Sequence, residues 1–219
     1  FFLTCMHADD KQQVILIEKG LTDDDAAALT ASLKKKAEVT LLDLRGNAIG
    51  DAGARSLAML LVGDSGLQSL RLWSNAIGSA GAGELASALT DNRSLLELDL
   101  GHVQHGDEVA VSIGAMLQQN TVLQSLDLRY CGMTDIGATS LAGALHTNTS
   151  LRHLDARYNA ICTAGAMAFA RALGDNKTPL RVWVKANRLS DHDCAALAEY
   201  LEADPALAPL AESQARFWF

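Results

Sequence analysis

A period of 28 residues runs through this chain of 219 and leaves few folds open to it. The string LLDLRGNAIG at residues 41–50 returns as SLRLWSNAIG at 69–78, and its first half returns again in LDLRYCGM at 126–133 and LDARYNAI at 154–161. Two apolar columns keep this step: Val14, Leu42, Leu70, Leu98, Leu126, Leu154 and Val182, then Leu16, Leu44, Leu72, Leu100, Leu128, Ala156 and Val184. A third column holds Asn47, Asn75, Val103, Cys131, Asn159 and Asn187. A fourth holds Ile49, Ile77, His105, Met133, Ile161 and Leu189, with Leu21 as its first member.

The second half of each unit keeps the same time with a different internal rhythm. Asp23, Asp51, Ser79, Asp107, Asp135, Thr163 and Asp191 mark helix starts, each read as the N-cap of its own helix because its side-chain oxygen can accept an unpaired N–H. Behind them come Leu29, Leu57, Leu85, Ile113, Leu141, Phe169 and Leu197, then Leu33, Leu61, Leu89, Leu117, Leu145, Leu173 and Leu201. That i, i+4 pairing places both columns on one helix face. Period 2 in the first half predicts a short strand, and the capped 3.6-type half predicts a helix of about three turns.

Strand, helix and parallel strand, repeated, give an α/β fold with one parallel sheet on one side and the helices on the other. About seven such units fill residues 11–203, and each depends on its neighbours to bury its apolar face. Residues 1–10 then read as an N-terminal lead or cap and residues 204–219 as a degenerate C-terminal cap.

The string L-x-x-L-x-L-x-x-N-x-I-x-x-x-G-A-x-x-L at residues 67–85 resembles the ribonuclease-inhibitor-like subclass of leucine-rich repeats. The resemblance implies a right-handed horseshoe solenoid with strands on the concave face and helices on the convex face. It also implies a ladder in which Asn47, Asn75, Cys131, Asn159 and Asn187 bond backbone between repeats, which Val103 cannot do. Functions in this family are diverse, so the fold alone selects none. The expectation is a non-catalytic protein-interaction module or scaffold. One alternative is a small-GTPase regulator resembling the Ran activator; another is a structural subunit of a cytoskeletal or ciliary assembly.

Composition narrows the partner. A net charge of −8 would repel a phosphate backbone, so the partner is expected to be a protein and not nucleic acid. No apolar run reaches bilayer-spanning length. The four cysteines, Cys5, Cys131, Cys162 and Cys194, form neither a CxxC pair nor a zinc spacing, so a disulfide framework is not expected and a cytoplasmic setting is. His102 and His105 in the segment GHVQHG lack a third ligand nearby and suggest an irregular turn, not a metal site. No phosphate-binding glycine loop, nucleophile elbow or metal triad is present, so no enzyme and no cofactor are expected. The glycines Gly53, Gly81, Gly137 and Gly165 share one helix position and read as close-packing residues.

The residues between the buried strand positions must face away from the helices. The first exposed column is Asp43, Arg71, Asp99, Asp127, Asp155 and Trp183; the second is Arg45, Trp73, Gly101, Arg129, Arg157 and Lys185. His102, Tyr130 and Tyr158 come next. Stacked carboxylates Asp99, Asp127 and Asp155 destabilise one another unless Arg129 and Arg157 offset them diagonally. The predicted partner-binding set is Trp73, Arg71, Asp99, Asp127, Arg129, Tyr130, Asp155, Arg157, Tyr158, Trp183 and Lys185, with the aromatics as anchors. At the ends, Phe1, Phe2, Leu3 and Met6 are expected to fold over the first strand, where Ile15 and Ile17 stand in place of charges. Pro205 and Pro209 interrupt an eighth unit begun by Leu207 and Leu210, and 216–219 (RFWF) either caps the last helix or serves another part of a larger chain or complex.

Overall fold

The computed structural model describes residues 12–34, 38–62, 66–203 and 217–218. Its strands are β1 (Gln13–Ile15), β2 (Leu41–Asp43), β3 (Ser69–Arg71), β4 (Glu97–Asp99), β5 (Ser125–Asp127), β6 (His153–Asp155), β7 (Arg181–Trp183) and β8 (Phe217–Trp218). Between them lie α1 (Asp23–Leu33), α2 (Asp51–Leu61), α3 (Ser79–Thr90), α4 (Gly106–Leu117), α5 (Asp135–Leu145), α6 (Thr163–Asp175) and α7 (Asp191–Ala203). The strands form one sheet in chain order, all neighbours parallel, and from β1 to β7 the register advances by one repeat so that Leu42 faces Leu70 and Leu70 faces Leu98.

The middle residue of each strand from β1 to β7 is buried, as are the paired helix leucines, and together they make one continuous core. Every repeat from the second to the sixth contributes several side chains at or near zero exposure, each worth about 1.5–3 kcal/mol of apolar burial. Successive helices and successive strands pack against one another along the chain, so the core is continuous through the stack.

Polar side chains lock the stack at three levels. In the turn after the strand, Asn47 donates to the carbonyls of Leu16 (2.8 Å) and Leu44 (2.7 Å) and accepts from the Lys19 and Leu21 amides. Asn75, Asn159 and Asn187 repeat this reach to the preceding repeat. Cys131 fills the same slot with its thiol against the carbonyls of Leu100 and Arg129, and burial pushes that thiol up to about 12. A second asparagine series, Asn92, Asn120, Asn148 and Asn176, sits at the far end of the helices. Each donates to a carbonyl in the last turn of the preceding repeat's helix (Leu61, Leu89, Leu117 and Leu145).

The third level corrects the expected capping. The acidic residues at the helix starts do not cap their own helices. N-cap positions belong to the residue before, Thr22, Gly50, Gly78, Thr134 and Cys162, with Asp23, Asp51, Ser79, Asp135 and Thr163 as first helical residues. The carboxylates instead cap the helix of the next repeat. Asp51 Oδ1 accepts from Gly78 N (2.7 Å) and Gly81 N (2.8 Å), Asp107 from Thr134 and Gly137, and Asp135 from Cys162 and Gly165. The recurring glycines follow from this, since a β-carbon at Gly81, Gly137 or Gly165 would stand 2.7 Å from the capping oxygen.

The series fails where Ser79 replaces aspartate. There α4 starts one residue early at Gly106, with His105 as N-cap in a left-handed conformation (φ 63°), and Val103 is buried in the asparagine slot. Gly106 is needed at this close approach, because a β-carbon would meet the Cys131 carbonyl and the Met133 amide at 2.5–2.6 Å.

Two expectations concern the ends. The fold-back of Phe1, Phe2, Leu3 and Met6, and the roles of Pro205, Leu207, Pro209 and Leu210, lie outside the described residues. Within residues 216–219, the pair Phe217–Trp218 forms β8 against the free edge of β7.

Candidate functional site

Each strand from β1 to β7 is followed by a turn whose residue at one fixed place has positive φ. These are Glu18, Gly46, Ser74, His102, Tyr130, Tyr158 and Ala186, with φ between 53° and 68°. A residue with a β-carbon is disfavoured here by roughly 1–2 kcal/mol, so glycine or asparagine would be the least strained choice. The ladder enforces the conformation: the amides of His102, Tyr130 and Tyr158 donate to the carbonyls of Arg129, Arg157 and Lys185 in the following repeat. Large rings at His102, Tyr130 and Tyr158 are therefore fixed in direction by backbone that cannot relax.

These rings meet. Tyr130 and Tyr158 stack at 4.4 Å with planes 5° apart, and each is more than two-fifths exposed. Tyr130 meets Trp73 edge-on at 5.8 Å, and His102 lies 6.0 Å from Trp73 and 6.4 Å from Tyr130. The result is one aromatic row, Trp73–His102–Tyr130–Tyr158, running across four repeats at the end of the sheet face. Trp183 lies outside this row and stacks on His153 at 5.6 Å. Burial and the charge of Arg181 hold the His153 imidazole below its ordinary pKa. Lys185 is exposed in the turn beyond Trp183.

The charged columns are organised within strands. Arg45 grips Asp43 with Nε at 2.8 Å and a terminal nitrogen at 2.7 Å. Arg157 grips Asp155 in the same way at 2.9 and 2.6 Å, and Arg129 grips Asp127 at 2.8 and 2.6 Å. The diagonal offset expected from the sequence is confined to Arg129 reaching Asp155 at 3.4 Å. Arg129 also lies over the Trp73 ring, 4.7 Å from its centre. Arg71 turns toward Asp43 (3.8 Å) and Glu97 (3.6 Å).

Asp99 is the exception. It has no ion pair among the described residues and takes one amide hydrogen bond, from Gly101 at 3.0 Å. Burial pushes its carboxyl up to about 6, and Asp127 beside it acts the same way against the Gly101 amide, Arg129 and Arg45. It is the acidic group of the face most altered by its surroundings. Among the described residues no set of three His, Cys, Asp or Glu side chains is placed to hold a metal ion, and no helix is long and apolar enough to cross a membrane.

The structure brings His102, placed on the face by the sequence but outside the predicted binding set, into the aromatic row, and it adds Glu97, His153 and Arg181 to the face. The last three belong to a column one step before the first exposed column, Leu41, Ser69, Glu97, Ser125, His153 and Arg181. Strand alternation carried two residues further back would have found it.

With this geometry in hand, the comparisons with known proteins place the repeats. A family model described as "Leucine Rich repeat" matches residues 39–58, 119–142 and 147–170. Together with the parallel sheet and its alternating helices, this gives the chain the fold of a leucine-rich-repeat solenoid of about seven repeats. No curated protein matches the chain. Among solved structures it is similar to "Leiomodin-1 Actin-Binding Site 2 (ABS2)", at 22% identity with TM-score 0.49, over 58% of this chain and 75% of that one.

Proposed function

We propose that the chain is a non-catalytic protein-interaction module that docks a protein partner on its sheet face. The aromatic row Trp73–His102–Tyr130–Tyr158 carries this reading. Exposed aromatic and arginine side chains on preordered backbone lose little conformational entropy on binding and bury large area, which is what interface hot spots require. Arg71, Asp99, Asp127, Arg129, Asp155 and Arg157 surround the row as its polar rim, and Trp183 and Lys185 form a second contact toward the C-terminal repeats. The Asp–Arg pairs neutralise one another within their strands, so this face offers no continuous basic stripe to a phosphate backbone. We also assign the repeats to the ribonuclease-inhibitor-like subclass, on the 28-residue period and a full helix in each unit.

The test is cross-linking mass spectrometry in native lysate, comparing wild type with Trp73→Ala plus Tyr158→Ala. Cross-links from the sheet face to a partner should vanish in the double variant while its melting temperature holds. A partner retained at full yield, or cross-linked only through the helices, overturns the reading.

A further inference from the structure

Of the four aspartates in the first exposed column, Asp43, Asp99, Asp127 and Asp155, one lacks an arginine two places on, and the residue that stands there instead packs against Trp73 of the aromatic row. In the second, fifth and sixth repeats the residue two places after the aspartate is an arginine that chelates it. In the fourth repeat Asp99 is followed at that place by Gly101. Any β-carbon on Gly101 would stand 2.1–2.2 Å from two carbons of the Trp73 ring, so the indole occupies the space through which a fourth arginine would leave the backbone.

Among the described residues no cation forms an ion pair with Asp99. Arg71, the register neighbour on β3, points to Asp43 and Glu97, while Arg129 is engaged with Asp127, Asp155 and the Trp73 ring. Asp99 is left part-exposed, with one hydrogen bond where an ionised carboxylate has room for about four. The charges that act on it are those of Asp127, which opposes ionisation, and of Arg129 and Arg45, which favour it without pairing with it.

We propose that Asp99 is the receiving group for an arginine side chain of the partner, whose guanidinium chelates the carboxylate in trans as Arg45, Arg129 and Arg157 chelate theirs in cis. This assignment rests on the docking reading above. Arginine fits better than lysine for two reasons on this face. Its planar fork matches both carboxylate oxygens at once, and its flat surface stacks on aromatic rings. Arg129 lying over Trp73 at 4.7 Å shows that this indole already accepts a guanidinium. The net charge of −8 favours approach by a cationic segment.

The experiment is an NMR titration of the whole chain with Nα-acetyl-arginine amide, following the Gly101 amide and the Trp73 indole N–H. Saturable shifts are expected with a dissociation constant in the range of about 1–50 mM. Nα-acetyl-lysine amide should bind several-fold more weakly and the neutral isostere Nα-acetyl-citrulline amide should give no saturable shift. Asp99→Asn should weaken the arginine response by about tenfold or more. A second variant, Trp73→Ala with Gly101→Arg, supplies the guanidinium in cis and should block the probe. Its fold is checked by circular dichroism. Equal responses to arginine and citrulline, an unchanged response in Asp99→Asn, or no saturation overturns the assignment. If arginine fails while the Trp73→Ala plus Tyr158→Ala pair still abolishes partner cross-links, the arginine slot falls and the docking surface stands. A saturable arginine response with partner cross-links intact in that pair overturns the docking surface instead.

Discussion

Replacing Asp51 by alanine should weaken the start of a helix to which Asp51 does not belong. Its Oδ1 accepts two amides of the next repeat, Gly78 N at 2.7 Å and Gly81 N at 2.8 Å. Gly81 is buried, so water cannot replace the lost acceptor there. Losing a helix cap costs about 0.5–2 kcal/mol, and hydrogen bonds to a charged group are worth about 1.5–3 kcal/mol. The two amides share one oxygen and the terms do not add, so the expected loss is about 2–3 kcal/mol. For a chain of this size that lowers the melting temperature by roughly 4–12 °C. Asp51→Asn keeps an accepting oxygen without the charge and should lose about half as much. Asp24→Ala removes an exposed carboxylate from the first turn of α1 and serves as the control, within about 0.5 kcal/mol of wild type. Urea unfolding gives the magnitudes, and amide hydrogen exchange gives the location. In Asp51→Ala the Gly81 amide should lose protection while the first turn of α2 keeps its own. Trans-capping is refuted if Asp51→Ala is as mild as the Asp24 control, or if exchange rises in α2 and not in α3.

Two glycine substitutions should move stability in opposite directions in thermal melts. Gly143→Ala, in α5 with open space around it, should stabilise by about 0.5–1 kcal/mol through helix propensity. Gly81→Ala should destabilise by about 1–3 kcal/mol despite the same propensity gain, because its methyl meets Asp51 Oδ1 at 2.7 Å and the Asp51 α-carbon at 2.9 Å. The effect of Asp99→Asn should depend on pH. With Asp99 raised to about 6 against an unfolded value near 3.9, the folded chain holds a proton that the unfolded chain has released, so wild-type stability falls as pH rises from about 4 to 6. Asparagine has no such term. The variant should therefore look better at pH 7.5 than at pH 4 by about 2 kcal/mol in paired urea titrations, and a pH-independent difference would contradict the buried carboxylate. Finally, the Cys131 thiol, pushed up to about 12, should resist iodoacetamide in the native chain at pH 8 and react after unfolding, as read by peptide mass spectrometry. Cys131→Asn should be tolerated within about 1 kcal/mol because Asn75 in the third repeat and Asn159 in the sixth already make the corresponding bonds from that slot.

The strand and helix halves were legible because period 2 and period 3.6 act on different columns of the same repeat. Val14 through Val182 and Leu33 through Leu201 needed no structure to be placed in a core. The direction of capping was not legible. Asp51 at a helix start looks like a cap for that helix, and the amides it takes are 27 and 30 residues away, a distance that no local motif encodes. Asn92, Asn120, Asn148 and Asn176 carry the period as plainly as the first asparagine series, yet in sequence they read as ordinary polar residues ending a helix. Of the candidate face, alternation exposes the columns of Asp99 and Trp73. It does not reveal that Tyr130 and Tyr158 stand on left-handed backbone, because glycine marks that place only at Gly46 and Gly20 is displaced from it. Nor does spacing alone separate an arginine that grips its own strand from one that reaches across. That choice is settled by how far a guanidinium extends along a pleat and by the ring that fills the space over Gly101.

The three polar series point in opposite senses along the chain, and this gives the stack a grammar of its own. Aspartate hands its oxygen forward to the next helix start, while both asparagine series hand their amides back to the previous turn and the previous helix end. An inner repeat is thus completed by a sentence begun before it and finished after it. Cutting at any point leaves donors stranded on one side and acceptors on the other. Removing one whole period restores the agreements wherever the residues that come together keep the series, which Ser79 and Val103 do not. Such a chain can lengthen or shorten by units of 28 residues and by little else.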